Sequence, residues 1–164
     1  MDIKSKLIEF IARNDLIPVK MRWKKSVSAI GSLFIGVHRM LNAEDRRKLA
    51  SLLYEWGLSD AEEVVNTLGI SRDPHGCAIA ILATNNIFGI RNEIVMEKKD
   101  EVVIHVTECL WKNKKNWTPE LCALTDQYEI GLVTGINKNI RYSVLKRRSK
   151  GDKVCEIVLK RITD

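Results

Sequence analysis

Thiols and imidazoles are the side chains here with the most chemistry to offer. The cysteines stand at 77, 109, 122 and 155, and the histidines at 38, 75 and 105. Asp73-Pro74-His75-Gly76-Cys77 puts an acid, an imidazole and a thiol at the start of a helix, where the dipole lowers a thiol pKa and attracts anions such as a substrate carboxylate. In the plainer reading, Asp73 is the N-cap and His75 is a solvated first-turn residue. Cys109-Leu110-Trp111 closes a strand, and Thr118-Pro119-Glu120-Leu121-Cys122 opens a helix. Cys155 follows a Gly151-Asp152 turn. His105 and Cys109 share a strand parity, but at about 3.3 Å per residue they stand roughly 13 Å apart, too far for a nucleophile and base to touch. His75, Cys77 and Cys109 stay as separate catalytic candidates, with no role assigned to any of them by spacing. Cys155 shares a face with Ile157 and Leu159, so it reads either as a small buried hydrophobe or as part of a site.

Composition narrows the setting. The closest two cysteines are thirteen positions apart, which matches neither a zinc ribbon nor a short secreted disulfide frame. The charges at Asp2, Lys4 and Lys6 stand where a secretion signal needs an apolar run. The apolar segment 26–41 is too short and too interrupted by Gly, Ser, His38 and Arg39 to span a bilayer. These features predict a cytoplasmic protein with free thiols and no membrane span. Of the formal charge of +6, residues 138–161 carry +7 through nine Lys or Arg against Asp152 and Glu156. A phosphate-tracking surface on Lys146, Arg147, Arg148, Lys150 and Lys153 is one reading of that density. Without a nucleic-acid fold or a stacking motif, a solvated turn is favoured.

Helical periodicity covers residues 2–14 and 26–41, the second with Ser28, Ser32 and Gly36 recurring every fourth position. Such a stripe predicts a close helix contact, within the fold or across a homodimer. A third helix spans 43–56, and Gly57 with Ser59 and Asp60 reads as its stop and the cap of a fourth, running to Leu68 before Gly69. A fifth begins at Pro74. From Asn92 the period becomes two, giving a hairpin around Lys98-Lys99-Asp100 with Val102, Ile104 and Val106 on one face. A sixth helix starts at Thr118-Pro119, where Gly131 and Gly135 predict close packing on the sheet. A second hairpin joins 140–145 to 154–159. The fold class is α+β. A helical part (1–90) packs on a four-stranded antiparallel sheet, with a helix between the two hairpins in the module 91–162, and the whole of 1–164 forms one domain.

The order Cys109-x-Trp111, Cys122, Gly131, Asn137, Tyr142 and Gly151-x-x-x-Cys155 resembles the C-terminal module shared by 4-vinyl-reductase/hydrocarbon-binding proteins and L-2-amino-thiazoline-4-carboxylate hydrolase-like proteins. The resemblance covers residues 92–162 and extends to transport-particle subunits. It implies that Cys109, Trp111, Cys122, Tyr142 and Cys155 line one small-molecule pocket, with an apolar cavity between helices and sheet and Trp111 at its mouth. Relatives that hold zinc carry a Glu-x-x-Cys where this chain has Val144 and Arg147, so no metal is expected. His38, one turn after Phe34, could ligate a haem iron. The Tyr-x-Ser-x-Arg propionate clamp of haem-sensing relatives is missing at Tyr142-Ser143-Val144, so no cofactor is expected either. The sequence thus points to a cytoplasmic binder of an apolar or small heterocyclic ligand, as a homodimer. The alternatives are a thiazoline-ring hydrolase and a nucleic-acid-binding protein.

Overall fold

A computed structural model describes residues 18–162. The predicted helix over 2–14 lies outside them. Helix α1 (Val19–Met40) begins directly after Pro18, earlier than the apolar pattern suggested, because the basic run 20–25 is helical as well. Helix α2 is unbroken from Ala43 to Leu68 and replaces the predicted pair. Asn42 caps its start by accepting from the Asp45 N–H at 3.0 Å, and Gly69 ends it at φ 61°.

Gly57 is not a helix stop. A Cβ at that position would strike the Tyr128 carbonyl of α4 (Pro119–Ile136), and a Cβ on Gly131 would strike the Tyr54 carbonyl in return. Gly135 makes the same kind of contact against Ala61 and Leu58. Tyr54 and Leu58 face Gly131 while Leu58 and Ala61 face Gly135, so α2 and α4 run in the same sense, backbone on backbone. The two glycines of α4 were predicted to pack closely, and they do, against a helix rather than the sheet. Across the same seam the Tyr128 hydroxyl donates to Asp60 Oδ2 at 2.9 Å, and Trp56 meets Tyr128 edge-on at 5.2 Å.

Helix α3 (Pro74–Ile87) has Pro74 in its first turn and Asp73 as N-cap, accepting from the Gly76 N–H at 2.8 Å. The two hairpins are β1 (Arg91–Lys98) with β2 (Glu101–Glu108), and β3 (Ile140–Lys146) with β4 (Cys155–Arg161). They join through β2 and β4, so the order is β1-β2-β4-β3 and every pairing is antiparallel. Val102, Ile104 and Val106 point inward as their parity predicts, with Ile157 and Leu159 beside them. With Ala78, Ile81, Leu132 and Val133 from the helices they form the core. This is the expected α+β arrangement. No helix among the described residues is long and apolar enough to cross a membrane.

The small-residue stripe of α1 behaves differently. Gly36 has open space around it and is exposed, and so is Ser32. The glycine that is buried is Gly31, against which the Trp111 indole lies.

Candidate functional site

The segment after β2 turns inward instead of continuing the sheet's solvent face, and this brings Cys109 to the far side from His105. The Cys109 thiol accepts from the backbone N–H groups of Trp111 and Lys112 and is close enough to Cys122 and Arg148 for their charges to act on it. Cys122, on the first turns of α4, accepts from the Trp117 indole N–H at 3.1 Å. Cys155 opens β4 and accepts from the Arg148 N–H at 3.3 Å, within electrostatic reach of Cys122, Cys109 and Asp126. The three thiols lie within electrostatic reach of one another between the first turns of α4 and the start of β4. All three are half-buried.

Beside them lies a polar cluster. The buried Tyr142 hydroxyl donates to Glu129 Oε2 at 2.5 Å, and the Asn85 amide of α3 also donates to Glu129. Burial, and then the charge of Asp126, push the Glu129 carboxyl up to about 7. Burial followed by the same two acids raises the Tyr142 phenol well above its ordinary value. Arg147 Nη2 meets Asp126 Oδ2 at 2.5 Å as an ion pair, with both side chains less than a fifth exposed. Burial opposes the Arg147 charge, but Asp126 outweighs it and holds the guanidinium above its usual range. A register shift between Val144 and Lys146 leaves Leu145 exposed and changes the strand parity just before Arg147. Arg148 continues inward to the Thr107 carbonyl.

Trp111 is buried rather than placed at a mouth. Its indole N–H donates to the Val27 carbonyl of α1 at 3.1 Å, and its ring packs on Phe88 and Trp117. Trp117 is therefore the aromatic side chain that touches a thiol. Asp126, Glu129, Asn85 and Trp117 were not singled out in the sequence. Cys122, Asp126 and Glu129 stand at i, i+4 and i+7 of one helix face, a spacing that could have drawn attention to them.

The residues proposed for attack chemistry are dispersed. Cys77 is wholly buried in the core, and burial pushes its thiol to about 12. His75 is exposed and pairs with Glu97 at 2.8 Å, so the imidazole and thiol of that motif do not meet. His105 pairs across strands with Glu156 at 3.0 Å, and Lys146 reaches the same carboxylate oxygen at 2.8 Å. His105 and Glu156 border a shallow groove of about 600 Å³ on the sheet's outer face, floored by Val103 and Val158. Burial also raises the Cys109 and Cys155 thiols, and such thiols stay protonated at neutral pH. Among the described residues no group of three or more His, Cys, Asp and Glu side chains is arranged to hold a metal ion. His38 is half-buried; burial and Arg46 lower its pKa.

The basic hairpin is largely committed to the protein itself. Arg147 serves Asp126, Arg148 serves Thr107, Lys146 serves Glu156, Lys160 meets Glu101 at 3.1 Å and Arg161 meets Asp100 at 2.9 Å.

No family model matches the chain, and no curated protein is significantly similar to it in sequence. Solved structures do match. A trafficking protein particle complex subunit 3 from Naegleria fowleri, in a crystal structure covalently bound to palmitic acid, superposes with a TM-score of 0.56 at 17% identity, over 88% of this chain and 99% of that one. The phenol-responsive sensory domain of the transcription activator PoxR, crystallised with phenol, superposes with a TM-score of 0.60 at 17% identity, over 82% of this chain and 74% of that one. The chain thus has the fold of the trafficking-particle subunit and of the phenol-sensing domain.

Proposed function

We propose that the protein binds a small, largely apolar molecule at the half-buried cluster of thiols and polar groups between α4 and β3–β4. Trp117 and the thiols of Cys109, Cys122 and Cys155 would form its apolar side, and Glu129, Tyr142, Asn85 and Arg147 its polar end. The observation that carries this is the convergence of these groups from α3, α4, β3 and β4 on one half-buried place. The occurrence of phenol in one protein of the same fold and palmitic acid in another supports it, as does the resemblance to the hydrocarbon-binding module. A few polar groups set in apolar surroundings is the usual composition of a ligand site. The raised thiols favour binding over nucleophilic attack.

Native mass spectrometry of the purified protein, followed by titration with phenol and with palmitate under tryptophan fluorescence, tests this. A retained adduct or a saturable change in emission is expected. Tyr142→Phe should weaken the affinity about two- to tenfold, the loss of one hydrogen bond. An empty protein that responds to neither probe overturns the reading.

A further inference from the structure

That cluster leaves unexplained a second distribution of charge that only the folded chain reveals. From residue 16 to residue 43 there is no Asp or Glu, and the loop 109–117 has none either. Two contacts bring these segments together: the Trp111 indole donates to Val27, and Lys114 Nζ donates to Ser32 Oγ at 2.8 Å. Lys25 and Arg39 lie on the Ser32 face of α1 and therefore on the same side of the molecule as Lys114, with Lys112 and Lys115 in the same loop, while Glu120 at the foot of α4 lies beside His38. Among these cations the aliphatic side chains of α1 are left in the open: Val19 is 76% exposed, Met21 55%, Leu33 65% and Met40 86%.

We propose that this face of α1 and the loop after β2 docks on an anionic lipid surface, with the lysines at the headgroups and the aliphatic side chains dipping between them. Basic residues interleaved with exposed apolar ones are the composition of an interfacial helix, in which the two attractions add. A second copy of the chain fits the face less well, because a two-fold contact would set its cations against the same cations. A nucleic acid would use the charge but gain little from Met21, Leu33 or Met40. The aromatic rings that could stack on bases are engaged: Trp117 on Trp111 and Cys122, and Trp23 against Gly89.

The test is co-sedimentation of the full chain with phosphatidylcholine vesicles, with and without phosphatidylserine, alongside anisotropy with duplex and single-stranded oligonucleotides and light scattering for mass. Binding to the serine-containing vesicles and not to the others is expected. Lys25→Glu with Arg39→Glu should weaken it at least about tenfold, and so should Lys112→Glu with Lys115→Glu. Met21→Ser should also weaken it, whereas Lys98→Glu with Lys99→Glu, at the turn of the first hairpin beside His75, should leave it intact. All these positions are exposed, and an unchanged melting temperature will show that each variant folds. No vesicle binding overturns the proposal. An equal loss in the hairpin variant overturns it as mere net charge. Oligonucleotide binding that is indifferent to Met21→Ser assigns the face to nucleic acid, and a dimer dissolved by Leu33→Glu without vesicle binding assigns it to a second copy.

Discussion

Glu129 is the residue whose surroundings have the sharpest consequence. Its folded pKa of about 7 lies above the ordinary carboxylate value of 4.5, so between the two values the folded chain holds a proton that the unfolded chain releases. The stabilisation from this group is complete below about pH 4.5 and falls away as pH rises through about 7, by roughly 3 kcal/mol in all. Glu129→Gln imitates the protonated acid and should leave stability near wild type at about pH 5 while exceeding it at about pH 8. Denaturant midpoints for both proteins across that range check it, and parallel curves would mean that the carboxyl is solvated. Arg147 behaves in the opposite way when altered. Burial raises the Asp126 carboxyl even with Arg147 beside it, so Arg147→Ala leaves a buried acid without its one opposing charge and should cost about 3 to 5 kcal/mol, whereas a solvated turn residue would cost almost nothing. Composition alone could not separate Arg147 from its basic neighbours, because the partner that turns it inward lies on a helix more than twenty positions earlier in the chain. Of the five residues taken from the motif, Cys109, Cys122 and Cys155 lie within electrostatic reach of one another and Tyr142 bonds to Glu129 of α4, while Trp111 turns to Val27 of α1. Their polar complement was hidden because Asp126 and Glu129 look like ordinary solvated helix residues until a sheet covers them.

Glycine is the clearest case of one residue type having two meanings at the level of whole helices. Gly57 and Gly36 both interrupt helical patterns, and the sequence offered Gly57 as a boundary and Gly36 as a contact. The structure reverses the first, and within the chain Gly36 meets nothing. Gly57→Ala sets a methyl against the Tyr128 carbonyl and should cost about 1 to 3 kcal/mol, while Gly36→Ala meets nothing and should be neutral or stabilising by up to about 1 kcal/mol. Thermal melts of the two variants decide it, and equal shifts would refute the assigned helix crossing. Strand parity was readable because the period of two and the burial of Val102, Ile104 and Val106 express the same physical alternation. Helix ends at Asp73 and Thr118 were readable because a cap is local chemistry. Partner choice between helices is not local, and no spacing within α2 states that α4 will lie on it.

Across the whole molecule, the four thiols are all free and unequally accessible. Denatured, unreduced protein should yield four reactive thiols. The folded protein should react slowly at Cys77, which has no exposed surface, and faster at Cys109, Cys122 and Cys155. Fewer than four in the denatured sample would mean a disulfide that the structure does not contain. The strand order carries a further consequence, for the timing of folding. The strand that joins the two hairpins is β4, the last of the four to be synthesised, so β2 and β3 wait for a neighbour that emerges after both. Until then the N-terminal hairpin has only one side of its sheet, α4 lacks the strand that brings Cys155 to Cys122, and the exposed edges are open to pairing between chains. A ribosome stalled before Cys155 should therefore hold a collapsed helical precursor that is sensitive to protease and has no cooperative transition. Release of the seven residues of β4 should convert it in one step.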